Sequence, residues 1–168
     1  MFDERTASRR TICFPIKENE VLLGMKLTGF GSGKYNGFGG KFDSLKGDKI
    51  IRDTAVRELR EESTLDAEVS NLDYVGLIDF DFPAKSAFNQ RVRIYFLKTW
   101  AGNPSQTEEM APEWFNMDNI PYSKMWDSDK LWLPSLLEGK KFYAKFVWKD
   151  DNETVQEYSI KFVDVLEY

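Results

Sequence analysis

Three glutamates stand close together in the segment RELREES, residues 57–63, at positions 58, 61 and 62. Residues three and four apart are neighbours on an α-helix, and like charges there cost about 0.2–0.5 kcal/mol per pair. A helix that gathers carboxylates which repel each other needs cations beside them. Such a cation is either a side chain of the protein or a bound metal ion.

An apolar stripe extends the same helix toward its N-terminus. Three apolar residues at i, i+4 and i+8 predict a helix over about 49–63: Ile51, Ala55 and Leu59. Asp48 is a good candidate for the N-cap. At 100° per residue, Glu58 and Glu62 fall within about 20° of the start of the stripe, and Glu61 about 80° from it. Carboxylates on the rim of a buried stripe need partners, because unpaired buried charge is expensive.

Two interpretations of this carboxylate helix stand side by side. In the first it is a solvated helix end, where Arg57 pairs with Glu61 at i, i+4 and glutamate serves as a good helix former. In the second it is a site for a hard divalent cation such as Mg²⁺, which takes oxygen ligands. Six of the eleven glycines lie at positions 29–40, shortly before the helix. Glycines let the backbone approach a ligand closely, which favours the cation site.

The composition excludes several classes of function. The net charge of -5 and the pI of about 4.9 argue against a protein held on long nucleic acid by phosphate contacts. The chain has no histidine, which excludes a histidine-based triad and a histidine-ligated zinc site. Cys13 is the only cysteine, so no internal disulfide forms and a reducing cytoplasm is the expected compartment. No signal peptide and no apolar run of about 20 residues is present, so no membrane association is expected.

The remaining patterns predict an α+β fold in one domain over residues 1–168, with residues 1–10 as a candidate disordered segment. Strands are expected at 11–16, 21–26, 73–82, 91–99, 114–117, 142–149 and 155–164. A second helix is expected near 129–138, and a loop rich in proline, serine and glutamate over 101–113. Aromatic residues make up 15% of the chain, which leaves room for a pocket that stacks a flat ligand.

Gly40 and the segment RELREESTL, residues 57–65, resemble the Nudix box, G-x5-E-x7-R-E-U-x-E-E-x-G-U, in which U is a bulky aliphatic residue. The similarity extends to VLLGMK, GFGSGKYNGFGGK and EEMAPEWFNMDNIP, and resembles the branch that hydrolyses oxidised purine nucleoside triphosphates such as 8-oxo-dGTP. The resemblance implies the Nudix fold, a mixed β-sheet sandwiched between helices with a loop-helix-loop catalytic motif. It also implies Mg²⁺-dependent attack of water on the phosphate chain of a small nucleotide, with Mn²⁺ as the alternative ion. A monomer is the default expectation.

The resemblance also implies roles for individual residues. The catalytic set carried over from the motif is Arg57, Glu58, Glu61 and Glu62. Glu58 and Glu62 would hold the metal, Glu61 would ligate a metal or help to activate water, and Arg57 would orient a glutamate. Backbone at Gly39 and Gly40 would approach the metal. Glu109 matches a further acidic residue near the metal, with its neighbour Glu108 as the rival for that role.

The purine site of that branch carries over less completely. The matching positions are Thr11, Lys26, Phe30, Asn36, Gly40, Phe80, Phe82, Met110, Trp126 and Asp129. Asn36 can donate and accept hydrogen bonds toward a purine edge, and the aromatic residues can stack on its ring. The relatives have two aspartates that read the base, and here Ser128 replaces the first of them. Taken singly, these aromatic residues would be interpreted as core packing.

Three departures affect the motif itself. The segment between Gly40 and the helix is longer by three residues, Lys49 replaces the first glutamate, and Thr64 replaces the final glycine. Glycine at that last position often has a positive φ, which a β-branched residue disfavours. We therefore expect this helix to end in a different way. None of the three departures removes an expected metal ligand, although Lys49 is expected to weaken metal binding or shift the catalytic pH.

Three alternative functions stay open at this point. The first is a Nudix hydrolase with another substrate, such as an unmodified purine triphosphate, a nucleoside diphosphate sugar or a dinucleoside polyphosphate. The second is an isomerase of the isopentenyl diphosphate type, which shares the fold, but the absence of histidine counts against it. The third is a non-catalytic Nudix module that binds nucleotide. The altered motif allows this third alternative, whereas the intact R-E-U-x-E-E core argues against it.

Overall fold

A mixed β-sheet of eight strands organises the part of the chain that the computed structural model describes, residues 2–168. The strands are β1 (Ser8–Lys17), β2 (Glu20–Lys26), β3 (Tyr35–Asn36), β4 (Leu72–Asp81), β5 (Gln90–Leu97), β6 (Met110–Asn116), β7 (Lys141–Trp148) and β8 (Val155–Val163). The helices are α1 (Ile51–Ser63) and α2 (Asp129–Leu137). No helix in this stretch is both long enough and apolar enough to cross a membrane.

The strands run in the order β3-β2-β1-β5-β4-β7-β8, and β6 pairs with β2. The β1–β5 and β4–β7 pairs are parallel, whereas the other pairs are antiparallel. Two short polar turns, over 18–19 and 149–154, close the β1–β2 and β7–β8 hairpins between strands that the sequence predicts. The strand order places β1, β5 and β4 in the middle of the sheet, where both of their faces can be covered.

Each face of the sheet carries one helix and one apolar cluster. The cluster on the α1 side includes Ala55 and Leu59 of the predicted stripe, packed with buried residues of β1 and β5. The cluster on the α2 side includes Trp132 and Leu136, packed with buried aromatic residues of β1 and β7. Each fully buried large apolar side chain contributes about 1.5–3 kcal/mol of burial free energy. The α+β prediction of a sheet sandwiched between helices is confirmed.

The start of α1 differs from the prediction. Its N-cap is Ile50, which has an extended backbone and makes no side-chain capping bond. The Asp53 carboxylate caps the helix instead, because it accepts hydrogen bonds from the backbone N–H groups of Lys49 and Ile50 at 2.7 and 2.9 Å. Asp48 was therefore wrongly predicted as the cap. It lies two residues before the cap and is buried in a network described below.

The end of α1 corrects a second expectation. Thr64 adopts the left-handed conformation, with φ 67° and ψ 6°, and its N–H bonds to the Arg60 carbonyl at 3.0 Å. The helix therefore ends as it would with glycine at this position, despite the β-branched side chain. The Thr64 hydroxyl donates to the Asn103 carbonyl at 3.0 Å and lies 2.8 Å from the Ser105 hydroxyl. These bonds to a distant loop offset the backbone strain.

Two substitutions separate the strain at Thr64 from its compensation. Thr64→Val keeps the β-branch and removes the hydroxyl, so we expect it to lower the free energy of unfolding by about 1–2 kcal/mol. Thr64→Gly removes the strain together with the hydrogen bonds, so we expect a change within about 1 kcal/mol of zero. Urea unfolding of both variants measures the difference. Equal stability of the two variants would show that the left-handed backbone carries no cost here.

Three further boundaries differ from the prediction. β1 begins at Ser8 and pairs with β5 from that residue onward, so residues 8–10 of the candidate disordered segment are ordered. Met1, the first residue of that segment, lies outside the described residues. β6 begins at Met110, although residues 110–113 were predicted as loop. Pro112 does not prevent this, because β6 pairs only with β2 and proline is tolerated on such an edge strand. β3 has only two residues and carries no periodic signal.

Candidate active site

The three carboxylates of α1 are distributed as the helical geometry predicts. Glu58 and Glu62 are buried, with relative exposures of 9% and 3%, at the rim of the apolar cluster. Glu61 is more open, and 38% of its side chain is exposed. The helix therefore presents two shielded carboxylates and a third that solvent reaches. This arrangement suits a site in which some carboxylates hold a cation and another exchanges protons with solvent.

Glu62 lies at the junction of the helix, the glycine loop and β2. Its Oε2 accepts a hydrogen bond from the Gly39 N–H at 2.9 Å, and its Oε1 lies 3.8 Å from the Lys26 ammonium. Burial raises the pKa of Glu62 to about 8, although the Gly39 N–H and the Lys26 charge act in the opposite direction. Without a cation, this carboxylate is therefore costly to ionise.

Glu58 is held by an arginine that a second acidic residue anchors. The Arg57 guanidinium donates to Glu58 Oε1 at 2.7 Å and to both carboxylate oxygens of Asp48, at 2.9 and 2.8 Å. Burial raises the pKa of Glu58, with Arg57 opposing the shift. The bidentate pair lowers the pKa of Asp48 to about 2 and raises that of Arg57. Arg57 thus orients Glu58, as the motif implies.

Asp48 is a site residue whose role sequence reasoning missed. Besides Arg57, it accepts hydrogen bonds from the Thr54 hydroxyl at 2.8 Å and the Asp43 N–H at 3.0 Å. The motif has a glutamate at the next position, which Lys49 occupies here, and the Lys49 side chain is exposed. An acidic residue next to the altered position, after a loop longer by three residues, was the available signal. Asp48 therefore supplies an acidic side chain one residue before the position at which the motif has its first glutamate.

The donor set fits a hard divalent cation. Glu58, Glu61 and Glu62 offer only oxygen atoms, the ligands that Mg²⁺ and Mn²⁺ accept. The backbone of the glycine loop comes so close that a Cβ at Gly40 would collide with the Glu58 carboxylate. Within residues 2–168, no three acidic side chains converge on one point as they stand. Arg57 contacts Glu58 and Glu61, and Lys26 contacts Glu62, so a divalent cation would compete with these two side chains for the same carboxylates.

Glu109 is better placed than its neighbour Glu108 to act near this site. Its carboxylate lies 3.8 Å from the Lys26 ammonium, which also pairs with Glu62. Its backbone carbonyl accepts a hydrogen bond from Leu27 at 2.8 Å, so the residue is tied to the end of β2. Its side chain is 51% exposed. The structure therefore brings Glu109 to the edge of the carboxylate group, but not into its interior.

A cavity of about 470 Å³ adjoins the carboxylate site. Ten predicted residues line it: Lys26, Phe30, Asn36, Gly39, Glu62, Phe80, Phe82, Met110, Trp126 and Asp129. Glu62 and Gly39 belong to both the cavity wall and the carboxylate site, so the two are continuous. The volume lies in the range of small-molecule sites, which is about 300–1,000 Å³.

Two predicted lining residues lie elsewhere. Thr11 is buried on the opposite face of β1, because side chains alternate along a strand and Ile12 faces the cavity. A Cβ at Gly39 would collide with the Thr11 carbonyl, and the Thr11 N–H donates to the Gly40 carbonyl at 3.0 Å, so the Thr11 backbone lies directly against the glycine loop. Gly40 likewise does not line the cavity and lies against Glu58. The prediction of both as purine contacts is corrected accordingly.

One part of the cavity wall, which we call the aromatic end, is formed by aromatic residues. Phe30 lies over this end with its ring 5.0 Å from Trp126 and 5.2 Å from Phe88, and it is 58% exposed. Lys34 places its ammonium 5.1 Å from the Trp126 ring centroid. Phe82 stacks on Trp148 with ring centroids 5.4 Å apart. Flat rings on several sides make this end suitable for a planar base.

Two polar side chains lie at the floor of the aromatic end. Ser128 and Asp129 are both buried. The Asp129 Oδ2 atom accepts a hydrogen bond from the backbone N–H of Trp126 at 3.1 Å. The Ser128 hydroxyl donates to the other Asp129 oxygen at 3.4 Å. Burial raises the pKa of Asp129 to about 7, although these hydrogen bonds oppose the shift. Asp129 can therefore present either a donor or an acceptor to a base near neutral pH.

Several lining residues had no counterpart in the sequence prediction: Ser8, Arg10, Ile12, Lys34, Phe88, Gln90 and Trp148 are among them. Alternation along β1 and β5 was the signal that could have found three of these, because Ser8, Arg10 and Gln90 share one face. Using that signal requires the strand register, which the sequence alone does not supply.

This fold and this site define a known class, and the chain belongs to the NUDIX family, whose domain model matches residues 7–136. It is 40% identical over 159 residues to an oxidized purine nucleoside triphosphate hydrolase of Mus musculus, covering 95% of this chain and 97% of that protein. The protein of that name in Danio rerio is 38% identical over 151 residues, covering 90% of this chain and 93% of its own length. The resemblance in the motif is thereby confirmed.

Solved structures support the fold. A mutator MutT protein from Bacillus halodurans superposes with a TM-score of 0.74 at 22% identity, covering 91% of this chain and 97% of its own. A bifunctional NMN adenylyltransferase/ADP ribose pyrophosphatase from Francisella tularensis, solved with AMP and a manganese ion, has a TM-score of 0.56 at 19% identity. It covers 79% of this chain and 42% of its own. NUDIX domains generally use a divalent metal, and the carboxylates of α1 fit that requirement.

Proposed function

We propose that this protein is a Mg²⁺-dependent hydrolase that cleaves oxidised purine nucleoside triphosphates, such as 8-oxo-dGTP, to the monophosphate and pyrophosphate. One observation carries the proposal. The cavity wall contains Glu62 and Gly39 of the carboxylate site together with Trp126 and Asp129 of the aromatic end. A nucleotide whose base reaches the aromatic end therefore extends its phosphates toward the carboxylates. The curated relatives carry the corresponding name over nearly the whole chain.

The residues of the carboxylate site divide the work. Glu58, Glu61 and Glu62 would hold the divalent cation, which when bound neutralises phosphate charge and activates the phosphorus toward water. Arg57 keeps Glu58 oriented, and the Gly39 N–H keeps Glu62 in place. Because the chain has no histidine, we propose a carboxylate as the group of this chain that accepts the proton of the attacking water. Glu61 and Glu62 are the two glutamates that can do so.

Base recognition rests on Asn36, Ser128 and Asp129 at the cavity wall. Asn36 uses its Oδ1 to accept the Gly37 N–H at 2.8 Å, which leaves its amide N–H groups available as donors. Ser128 supplies a hydroxyl where the motif of the branch has a carboxylate, so it can donate but cannot bear a negative charge. We propose that oxidised purines are still selected, with Asp129 as the single titrating group that reads the base.

A substrate panel tests the proposal. Pyrophosphate release is measured with Mg²⁺ over 8-oxo-dGTP, 2-hydroxy-dATP, dGTP and dATP, and product formation over ADP-ribose and diadenosine polyphosphates. The expected result is a kcat/KM for an oxidised purine triphosphate at least ~10-fold above that for dGTP and dATP, the discrimination that one or two hydrogen bonds supply. Preferential cleavage of the last two classes would assign another NUDIX substrate. Nucleotide binding without any turnover would identify a binding module.

Glu61 provides a test of the chemistry that does not disturb the fold. Glu61→Gln removes a partly exposed carboxylate with only long contacts to Arg57, at 3.4 Å, and Lys46, at 3.9 Å. We expect the rate to fall at least ~10²-fold, the usual scale for an acid–base group, and the unfolding free energy to change by less than about 1 kcal/mol. Glu68→Gln, an exposed residue beyond the helix, is the matched control. Normal turnover by Glu61→Gln would refute this assignment.

A further inference from the structure

A polar strip on β1 and β5 forms one wall of the cavity, and the proposed function gives it no role. Ser8 and Gln90 face each other in the β1–β5 register, and Arg10 lies two residues along β1 on the same face. The Ser8 hydroxyl and the Arg10 Nε are buried and make no hydrogen bond with any described residue. Buried polar atoms are normally paired, so these two atoms at the cavity wall are available to hydrogen-bond a molecule in the cavity.

Arg10 differs from the other cations of the cavity. Lys26 pairs with Glu62 and Glu109, and Lys34 lies over the Trp126 ring. Over residues 2–168, the Arg10 guanidinium makes no ion pair and no side-chain hydrogen bond. Burial lowers the pKa of Arg10, and the negative charge of Glu58 raises it. Its charge is thus partly desolvated, close enough to Glu58 to respond to it, and still available.

A purely structural role does not explain this arginine. A partly buried guanidinium whose Nε has no partner costs stability, and an apolar side chain would fill the same wall at lower cost. The preceding residue shows the contrast, because Arg9 points to the opposite face, is exposed and lies 4.5 Å from the Phe42 ring centroid. Arg10 therefore carries a cost that an acceptor in the cavity would repay.

We propose that Arg10 is a substrate-binding residue whose guanidinium donates hydrogen bonds to an acceptor oxygen of the bound nucleotide. This inference rests on the proposed function, because it assumes that the cavity holds the nucleotide. Two oxygens of a nucleotide have the required chemistry, namely a phosphate oxygen and a carbonyl oxygen of the purine. Arginine binds both in fork geometry. Ser8 and Gln90 lie beside Arg10 and extend the same polar wall.

The test is nucleotide binding in the presence of EDTA, so that hydrolysis does not interfere. Titration calorimetry compares deoxyguanosine, dGMP, dGTP and dATP on the wild type, Arg10→Met and the control Arg9→Met. Loss of a charge-assisted hydrogen bond is expected to weaken binding of dGTP about 10- to 100-fold in Arg10→Met. Arg9→Met removes the same charge from the adjacent position on the other face, and we expect it to change binding less than about 3-fold.

The ligands distinguish the two oxygen sources. If the loss occurs with dGMP, dGTP and dATP but not with deoxyguanosine, Arg10 binds a phosphate. If it occurs with all three guanine ligands and not with dATP, Arg10 binds a purine carbonyl. Equal affinities of wild type and Arg10→Met for every ligand would overturn the inference, as would equal losses in Arg9→Met and Arg10→Met. A wild type that binds none of them overturns this inference, and the substrate panel above tests the proposed function separately.

Two further readouts keep the outcome clear. Arg10→Met removes a buried donor that lacks a partner, so its melting temperature is expected to equal or exceed that of the wild type. Arg10→Lys keeps the charge without the fork, and we expect an affinity between those of the other two proteins. A wild type that binds dGTP in an Arg10-dependent manner but hydrolyses no member of the panel would overturn the proposed function alone. Hydrolysis with unchanged binding in Arg10→Met would overturn the Arg10 inference alone.

Discussion

Glu62→Gln is expected to abolish hydrolysis and, in the absence of metal, to make the protein more stable at pH 8. The carboxylate is 3% exposed, and burial raises its pKa from an ordinary 4.5 to about 8. A raised pKa in the folded state means that folding binds a proton as the pH rises above 4.5. Protonated Glu62 therefore imposes no penalty on the unfolding free energy of the wild type below pH 4.5. The unfolding free energy then decreases as the pH rises toward and through 8. Glutamine is neutral throughout and does not incur this loss.

The expected size of the gain follows from the same shift. One pKa unit corresponds to about 1.4 kcal/mol, and the buried amide of glutamine has its own desolvation cost, so we expect about 2–4 kcal/mol at pH 8. For a chain of this size, that gain raises Tm by roughly 4–16 °C. The Gly39 N–H keeps an acceptor in the glutamine oxygen, and Lys26 keeps Glu109 as its partner.

The measurement is thermal unfolding of both proteins in EDTA between pH 5 and 8. The difference in Tm should grow steadily with pH, and addition of Mg²⁺ should stabilise the wild type far more than Glu62→Gln. Pyrophosphate release should fall at least ~10²-fold in the variant. A difference that stays constant with pH would contradict the assignment of the stability cost to Glu62 ionisation. Glu68→Gln, on the surface, should show no such pH dependence.

Part of this site was predictable from the sequence because it depends on one helix. A rotation of 100° per residue placed Glu58 and Glu62 beside the apolar stripe, and both are buried there. The hairpins and the second helix followed from alternation, turn residues and periodicity. These features depend on interactions within about ten residues of the chain, so local patterns are enough to predict them.

The parts that could not be predicted depend on contacts between distant segments. Thr64 tolerates a left-handed backbone because its hydroxyl bonds to residues 39 and 41 positions away. Arg10 faces the cavity because of the register between β1 and β5, and Thr11 faces away for the same reason. The alternation of side chains along a short apolar strand divides them between two faces. It does not show which of the two faces lies toward a ligand.

Asp48→Asn is the second substitution with a large expected effect, and it acts on the support of the site. Arg57 is 15% exposed and donates two hydrogen bonds to Asp48, whose side chain is 2% exposed. Asparagine cannot balance the guanidinium charge or accept the bidentate pair. We expect the unfolding free energy at pH 7 to fall by about 2–4 kcal/mol, because a shielded charge loses its counterion.

The pH dependence of that loss has a defined sign. The pKa of Asp48 is lowered from 3.8 to about 2, first of all by the hydrogen bonds from Arg57. The contribution of ionised Asp48 to the unfolding free energy is therefore present above pH 3.8 and is lost as the pH falls toward 2. The two proteins should converge in stability in that acid range. Asp66→Asn is the control, because Asp66 pairs with Arg60 at an exposed position of the same helix, and we expect a change below about 1 kcal/mol.

Catalysis should respond to Asp48→Asn as well, although Asp48 does not line the cavity. Arg57 would then pair more closely with Glu58 and Glu61, and compete with the cation for them. We expect a lower kcat and a higher Mg²⁺ concentration for half-maximal rate. If Asp48 has only a structural role, the protein that remains folded would show an unchanged Mg²⁺ dependence of its rate.

A second substitution, Lys49→Glu, added to Asp48→Asn restores the motif's glutamate in the sequence. Because the Lys49 side chain is exposed and its backbone N–H is fixed to Asp53 at 2.7 Å, we expect no rescue. Full rescue would show that the longer loop can shift by one residue to bring either acid to Arg57.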